Sequence, residues 1–342
     1  MKILITGTDG YLGCLLAPLL AADGHEIVAV DTGFYRNGWL YNGLASIPQT
    51  LSKDMRHLTE ADFEGVDAVV AMAELSNDPV GDLVGPITFD INHKGSVHVA
   101  ETAKRAGVER FVYMSSCSVY GVADGEVDET SAVNPQTAYG ECKHLTELDL
   151  WKLADDSFHP TAMRNATAFG ASPRQRFDIV LNNLSGLAWV EKKIAMTSDG
   201  TPWRPMVHAL DIAKAIRLAL AAPVEKVHAE AFNVGSFANN YTVRQIAETV
   251  ADEFPGCELS FGAPGQDNRS YKVRFDKIEE TLGFSCDWDL ARGAKQLHQV
   301  FEAIQLDADT FYGRGHTRLK QIRWLLETGQ VDAQLFWKQV SA

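Results

Sequence analysis

No apolar run in the sequence approaches the roughly 18 residues that a membrane-spanning helix requires, so nothing reads as a transmembrane segment. Cysteine is sparse. The five present (Cys14, Cys117, Cys142, Cys257, Cys286) are scattered, odd in number and without a CxxC pair. That pattern argues against a structural zinc site and points to a reducing compartment. The ten histidines form no HxH or HExxH pairing, so no metal site is expected. Basic residues are outnumbered, 31 Lys and Arg against 45 Asp and Glu, for a net charge of −14. Such a surface repels backbone phosphates and anionic headgroups, so neither nucleic acid nor membrane is expected as a main partner. Low-complexity stretches, internal repeats and flexible linkers are also missing, which implies tightly joined lobes. MKILITG reads directly as a strand, leaving no room for a signal peptide, and the expectation is a soluble cytoplasmic protein.

What is present is enough for a large core: 342 residues, 46% of them apolar. The first 31 residues carry the clearest pattern. KILITGTDGYLG is a buried-type strand running into Gly7, Gly10 and Gly13, and CLLAPLLAADG is a helix stopped at Gly24. HEIVAVD is a second strand ending at Asp31, 18 residues after Gly13. Strand, glycine turn, helix and strand with a terminal acid make a dinucleotide-binding unit. The glycines let the backbone approach a diphosphate, and the helix N-terminus supplies NH groups and a positive dipole end. A carboxylate at Asp31 can accept both ribose hydroxyls and would repel a 2′-phosphate, which favours NAD over NADP. A further strand is predicted over Val66–Ala73, where small Ala71 and Ala73 suit a strand tip lying against a flat cofactor ring. Residues 76–90 read as an active-site loop. Alternating strands and helices through residue 150 predict an α/β fold with a doubly wound parallel sheet.

The stretch Phe111–Lys143 is the candidate for chemistry. FVYMSSCSVYG is a short apolar run ending in hydroxyls, and Tyr139 and Lys143 stand four apart at the head of a predicted helix. Residues four apart share a helix face, so phenol and ammonium can point into one site. A cation there favours phenolate, lowering a pKa otherwise about 10. Ser116 could share a substrate oxygen with that phenol. The apolar positions Leu145, Leu148, Leu150, Trp151 and Leu153 make the helix amphipathic. Beyond Tyr139 the alternation loosens. PTAMRNATAFG gives a strand, Arg174 and Arg176 sit in a basic loop, and the later segments build a smaller lobe at the sheet's C-terminal edge. His208 and Asp211 look like a base and its orienter, but capping and packing is the reading preferred. The final segment, HTRLKQIRWLLETGQVDAQLFW, reads as a packing helix or subunit contact rather than chemistry.

TGTDGYLG, Asp31, SSCSVYG, YGECK, Arg164, DGTPWRPMVHALD, FNVG and DNRSYKV, in this order, resemble the extended short-chain dehydrogenase/reductase family. Within it the likeness is to the NAD-dependent nucleotide-sugar epimerases and dehydratases, over roughly residues 1–300. The resemblance implies a Rossmann-type NAD domain over 1–165, a mainly substrate-binding lobe over 166–310 and a helical tail over 311–342. It implies Tyr139 as acid/base, Lys143 as the group that tunes it and bonds the nicotinamide ribose, and Ser116 as the group positioning the sugar oxygen. Gly7, Gly10, Tyr11, Leu12 and Gly13 would hold the diphosphate, Asp31 the adenosine ribose, and Asp54 and Met55 the adenine. Ala71 and Ala73 would line the cofactor cleft. Arg204 and Arg269 would hold the diphosphate of a nucleotide-sugar substrate, with Asn183 nearby, and Thr167 stands where the family often has Asn. In the dehydratases an acid pair follows the catalytic hydroxyl. Cys117 and Ser118 stand there instead, which disfavours dehydration. The expected activity is epimerisation through a transient ketone, in a homodimer formed by helices near 92–106 and 139–154. The alternatives are a keto-sugar reductase or dehydrogenase that releases its cofactor, and a non-catalytic NAD-binding protein.

Overall fold

The computed structural model describes residues 1–42, 49–76, 85–123, 125–263 and 270–338. Seven parallel strands form the central sheet: β1 (Lys2–Thr6), β2 (Glu26–Asp31), β3 (Thr50–Ser52), β4 (Ala68–Ala71), β5 (Arg110–Tyr113), β6 (His159–Asn165) and β7 (Glu230–Val234). Their order is 3-2-1-4-5-6-7, with the direction of winding reversing between β1 and β4. Register is fixed by pairs such as Ile5 with Ala29 on β2 and Ile5 with Val70 on β4. Parallel strands buried on both faces read as continuous apolar runs, and β1 is one, with Ile3, Leu4 and Ile5 fully buried.

Alternate side chains sort into two cores. Ile3, Ile5, Val70 and Val112 pack with Leu16 and Leu20 of α1 (Gly13–Ala22) and with Ile212 and Ile216. Leu4, Val69 and Phe111 pack on the other face with Val99 and Ala103 of α2 (Ser96–Arg105) and with Leu150 of α3 (Ala138–Leu153). Helices on both faces of an all-parallel sheet are the doubly wound arrangement that the pattern predicts.

A third core belongs to the second lobe. There α4 (Val180–Val190), α6 (Val243–Glu253) and α7 (Leu290–Ile304) pack on a three-stranded sheet of Thr167–Phe169, Trp203–His208 and Asn240–Thr242, while α5 (Ala209–Ala221) leaves that sheet's middle strand for the first core. Leu181, Ile246, Leu297 and Phe301 fill it. The last helix, α8 (Arg318–Glu327), returns to the first lobe, where Ile322, Leu325, Val331 and Leu335 join the core of Leu4 and Val30.

Three elements differ from the sequence reading. The strand expected over Val66–Ala73 is confined to Ala68–Ala71. The single strand expected in PTAMRNATAFG is two, because the chain leaves the main sheet after Asn165 and joins the small one at Thr167. The buried face of α3 is polar rather than apolar: Lys143, Thr146 and Glu147 are enclosed, while Leu148 is 42% exposed.

Candidate active site

A cleft of about 530 Å³ lies at the C-terminal ends of β1, β2, β4 and β5, beside the winding reversal, where open α/β sheets bind ligands. One wall is the glycine turn. Gly7 has φ +83°, and a Cβ on it would lie 3.0 Å from the backbone N of Ala73. A Cβ on Gly13 would lie 2.1 Å from the Gly7 carbonyl oxygen, so the turn closes backbone on backbone and leaves the head of α1 bare. Asp31, at the end of β2, accepts the NH groups of Gly33 (2.7 Å) and Asp9 (3.0 Å). Burial pushes its carboxyl up to about 6, against the pull of the Gly33 NH, with Asp9 pushing the same way as burial. Arg36 is held by Asp9 at 2.9 Å. A bare helix N-terminus facing a cleft, with a carboxylate at the next strand end, fits the diphosphate and ribose of a dinucleotide.

The other end holds Tyr139, Lys143 and Ser116, all lining the cleft. Thr137 caps α3 by accepting from the Gly140 NH at 3.2 Å, which sets the helical phase that brings Tyr139 and Lys143 inward. Ser116 caps the short 3₁₀ turn Cys117–Tyr120 by accepting from the Ser118 NH at 3.1 Å. Lys143 donates to the Met114 carbonyl, and its Nζ lies 2.5 Å from Glu74 Oε2. Glu74 Oε1 accepts from the Tyr113 hydroxyl at 2.8 Å. Burial works against the Lys143 ammonium, but Glu74, Tyr139 and Glu147 together outweigh it and the net shift is upward. Burial also raises the Tyr139 phenol. Lys143 pulls it down and Glu74 pushes it back up, while the Ser116 hydroxyl and Arg176 pull down, and the net direction is upward. Lysine does act on the phenol in the expected direction, but burial and Glu74 prevail.

Behind these groups Arg164 grips Glu147 of α3, Nη2 to Oε2 2.7 Å and Nε to Oε1 3.0 Å. Glu147 also accepts from Ser115 Oγ at 2.6 Å, and Arg164 donates to the Tyr120 hydroxyl at 3.0 Å. The network joins β6, the end of β5 and α3, the elements that present Tyr139 and Ser116.

Most of the expected site residues converge. Gly7, Gly10, Tyr11, Leu12, Gly13, Asp31, Asp54, Met55, Ala73, Thr167 and Arg204 all line the cleft with Tyr139, Lys143 and Ser116. Asp54 is committed to Arg56, 2.7 Å away. Ala71 does not line it. Strand alternation turns it into the core with Val69. Asn183 does not either: its Nδ2 is taken up by the Phe177 carbonyl at 2.9 Å. Arg269 lies outside the described residues. His208 and Asp211 cap and pack, His208 Nδ1 accepting from the Leu210 NH and Asp211 from the NH groups of Asp287 and Trp288. Cys117 begins the 3₁₀ turn rather than extending a strand, and its thiol points at the Arg164 carbonyl.

Unforeseen lining residues are Glu74, Arg176, Asp178, Tyr35, Asn165 and Arg318. Among the described residues, buried Ser118 Oγ and Asn165 Oδ1 have no hydrogen-bond partner, and both side chains line the same cleft.

Fold and cleft together define a Rossmann-type dinucleotide enzyme with the Tyr–Lys pair of the extended short-chain dehydrogenases. The chain belongs to the NAD dependent epimerase/dehydratase family, whose profile matches residues 3–235. It is 27% identical over 330 residues to the UDP-glucose 4-epimerase of Bacillus subtilis, covering 87% of this chain and 94% of that one. Its fold superposes on MoeE5 in complex with UDP-glucuronic acid and NAD, with TM-score 0.76, 24% identity, and 89% and 100% of the two chains covered. A UDP-glucose 4-epimerase with UDP-glucose from Thermotoga maritima superposes with TM-score 0.77 at 21% identity, over 90% and 100% of the chains.

Proposed function

We propose that this chain is an NAD-dependent epimerase of a nucleotide sugar, with Tyr139 as its acid/base. The observation that carries the reading is the convergence of Tyr139, Lys143 and Ser116 at one end of a cleft whose other end is the glycine turn and Asp31. NAD, when bound, would accept the hydride and, once the keto-sugar has turned over in the cleft, return it to the opposite face of the same carbon. Tyr139 takes the hydroxyl proton of that carbon and later gives it back, worth roughly 10² to 10⁴ in rate. Lys143 favours the phenolate, and Ser116 holds the oxygen while it changes between hydroxyl and ketone. Ser118 and Asn165 offer polar atoms to other sugar hydroxyls, and Arg204 and Arg269 serve the substrate's diphosphate. Dehydration needs an acid beside the reacting carbons. Burial pushes the Cys117 thiol well up, and the carboxylate near Tyr139, Glu74, is tied to Lys143.

In this reading residues 1–165 hold the cofactor, 166–310 mainly the substrate, and 311–342 close the structure. The enzyme is cytoplasmic, in keeping with five free cysteines. It is a homodimer through α2 and α3, where exposed Leu148 and half-buried Leu145 give an apolar face. The test is to incubate purified protein with UDP-sugars and no added cofactor. Turnover should proceed on the NAD it carries, and Tyr139→Phe should abolish it while NAD stays bound. A Tyr139→Phe variant that kept most of its activity would defeat the assignment.

A further inference from the structure

Arg318 opens α8, beyond the part of the chain that the family profile covers. It is 4% exposed, and its guanidinium lies 3.9 Å from the centroid of the Tyr35 ring, lining the cleft beside Arg176. Its main-chain NH donates to Asp178 Oδ2 at 3.1 Å. Among the described residues its guanidinium is hydrogen-bonded to no carboxylate or carbonyl, whereas Arg176 has Asp178 at 2.8 Å and the Ser76 carbonyl at 3.3 Å. Two buried cations therefore share one carboxylate. Burial, then Arg176, pull the Arg318 guanidinium down to about 10, against Tyr35, Asp178 and Asp31, which do not make up the deficit.

Position names the anion. Tyr35, whose ring lies under the Arg318 guanidinium, follows Asp31 by four residues. Arg176 donates to the Ser76 carbonyl and hydroxyl at 3.3 and 3.1 Å, two residues beyond Glu74, the carboxylate that pairs with Lys143, and lines the cleft with Tyr139. The two guanidiniums thus lie between the ribose-binding acid and the catalytic tyrosine. In a dinucleotide that interval is the diphosphate. We propose that Arg318, delivered by the C-terminal segment, completes with Arg176 a subsite for the cofactor's diphosphate, on a wall separate from the glycine turn. Guanidinium forks suit such a group. The same segment is fastened to both sides of the cleft. His316 accepts from the Phe177 NH at 3.0 Å on the substrate side, and Gln321 and Trp337 donate to the Phe34 and Thr32 carbonyls at 2.8 and 2.7 Å on the nucleotide side. It is a strap that holds NAD in place between turnovers.

The inference rests on the NAD reading, and calorimetric titration of the nucleotide-free full chain separates the two. Arg318→Gln should weaken ADP by about tenfold or more and leave adenosine within about twofold, with Arg318→Lys recovering part of the loss. Thermal unfolding of the nucleotide-free proteins should stay matched. Equal weakening of ADP and adenosine, or of neither, overturns the subsite. Weakening of UDP with ADP unchanged also overturns it, by assigning Arg318 to the substrate's diphosphate. A wild-type chain that binds neither ADP nor NAD would overturn the cofactor reading itself.

Discussion

Glu74 and Lys143 form an ion pair 2.5 Å long, both side chains less than 5% exposed, with the ammonium 5.3 Å from the centroid of the Tyr139 ring. The lysine that favours the Tyr139 phenolate is therefore shared with an anion that opposes it. Replacing Glu74 by Gln keeps the shape and removes the opposing charge. The Tyr139 phenol should then ionise more readily, and the pH profile of kcat/KM should move to lower pH by about one unit. A profile that stays in place would show that Glu74 does not act through this pair.

Arg164 and Glu147 show how α3 is held. The pair is buried and bidentate, with Ser115 and Tyr120 hydrogen-bonded to its two ends, so removing one member strands the other. Glu147→Ala should cost roughly 3–5 kcal/mol in urea unfolding, because Arg164 is left charged and enclosed. The double variant Glu147→Leu with Arg164→Met should recover much of that loss. Additive losses in the double variant would contradict the account.

These two pairs also mark the limit of what the sequence discloses. The glycine turn, Asp31 and the Tyr139–Lys143 spacing depend on local geometry, a tight turn and a helix face, and local geometry is written in residue spacing. Glu74 was visible only as an acid following the apolar run VVAMA; its partner is 69 residues away and meets it across two elements. Arg318 is further still, since nothing in TRLKQIR says that the helix returns to the first lobe with its first residue in the cleft. Ala71 and Asn183 were misplaced for a related reason. One position along a strand or a fraction of a helical turn changes the face, and position alone does not settle it. The leucines of α3 misled in the opposite sense, because that helix buries its charged groups in the site and leaves part of its apolar stripe outside.

Asp31 supplies a pH-dependent affinity. Burial lifts its carboxyl to about 6, so acidification protonates the group proposed to accept the ribose hydroxyls. The proton and the ribose compete for the same oxygens. NAD affinity should hold from pH 8 to 7 and fall below about pH 6, by at most about tenfold per unit. Fluorescence titration at several pH values checks this, and Asp31→Asn should bind NAD more weakly at neutral pH with a flatter profile. A wild-type affinity that did not change between about pH 7 and 5 would exclude the carboxylate as a ribose acceptor.

His208 couples stability to pH in a definite direction. Its ring is stacked on Trp288 with centroids 4.1 Å apart, Nδ1 accepts from the Leu210 NH, and Nε2 meets Gln296 Oε1 at 2.8 Å. Gly170, at φ +105°, makes room for it, since a Cβ there would lie 2.1 Å from Nε2. Burial pushes the imidazole down to about 4, with Gln296 opposing and Arg292 assisting. A proton on Nδ1 would also destroy the cap. Between about pH 6.5 and 4 the unfolded chain takes up a proton that the folded chain refuses, so stability falls as pH falls through that window. The full effect is on the order of 3 kcal/mol. Asp31, whose carboxyl is raised on folding, contributes with the opposite sign between about pH 6 and 4, so the wild type alone is not diagnostic. The comparison with His208→Gln isolates the histidine. That variant should be less stable than wild type at pH 7, by loss of the stack, yet the difference should shrink as pH falls to 5. A constant difference in unfolding free energy across this range would mean that His208 is not held neutral.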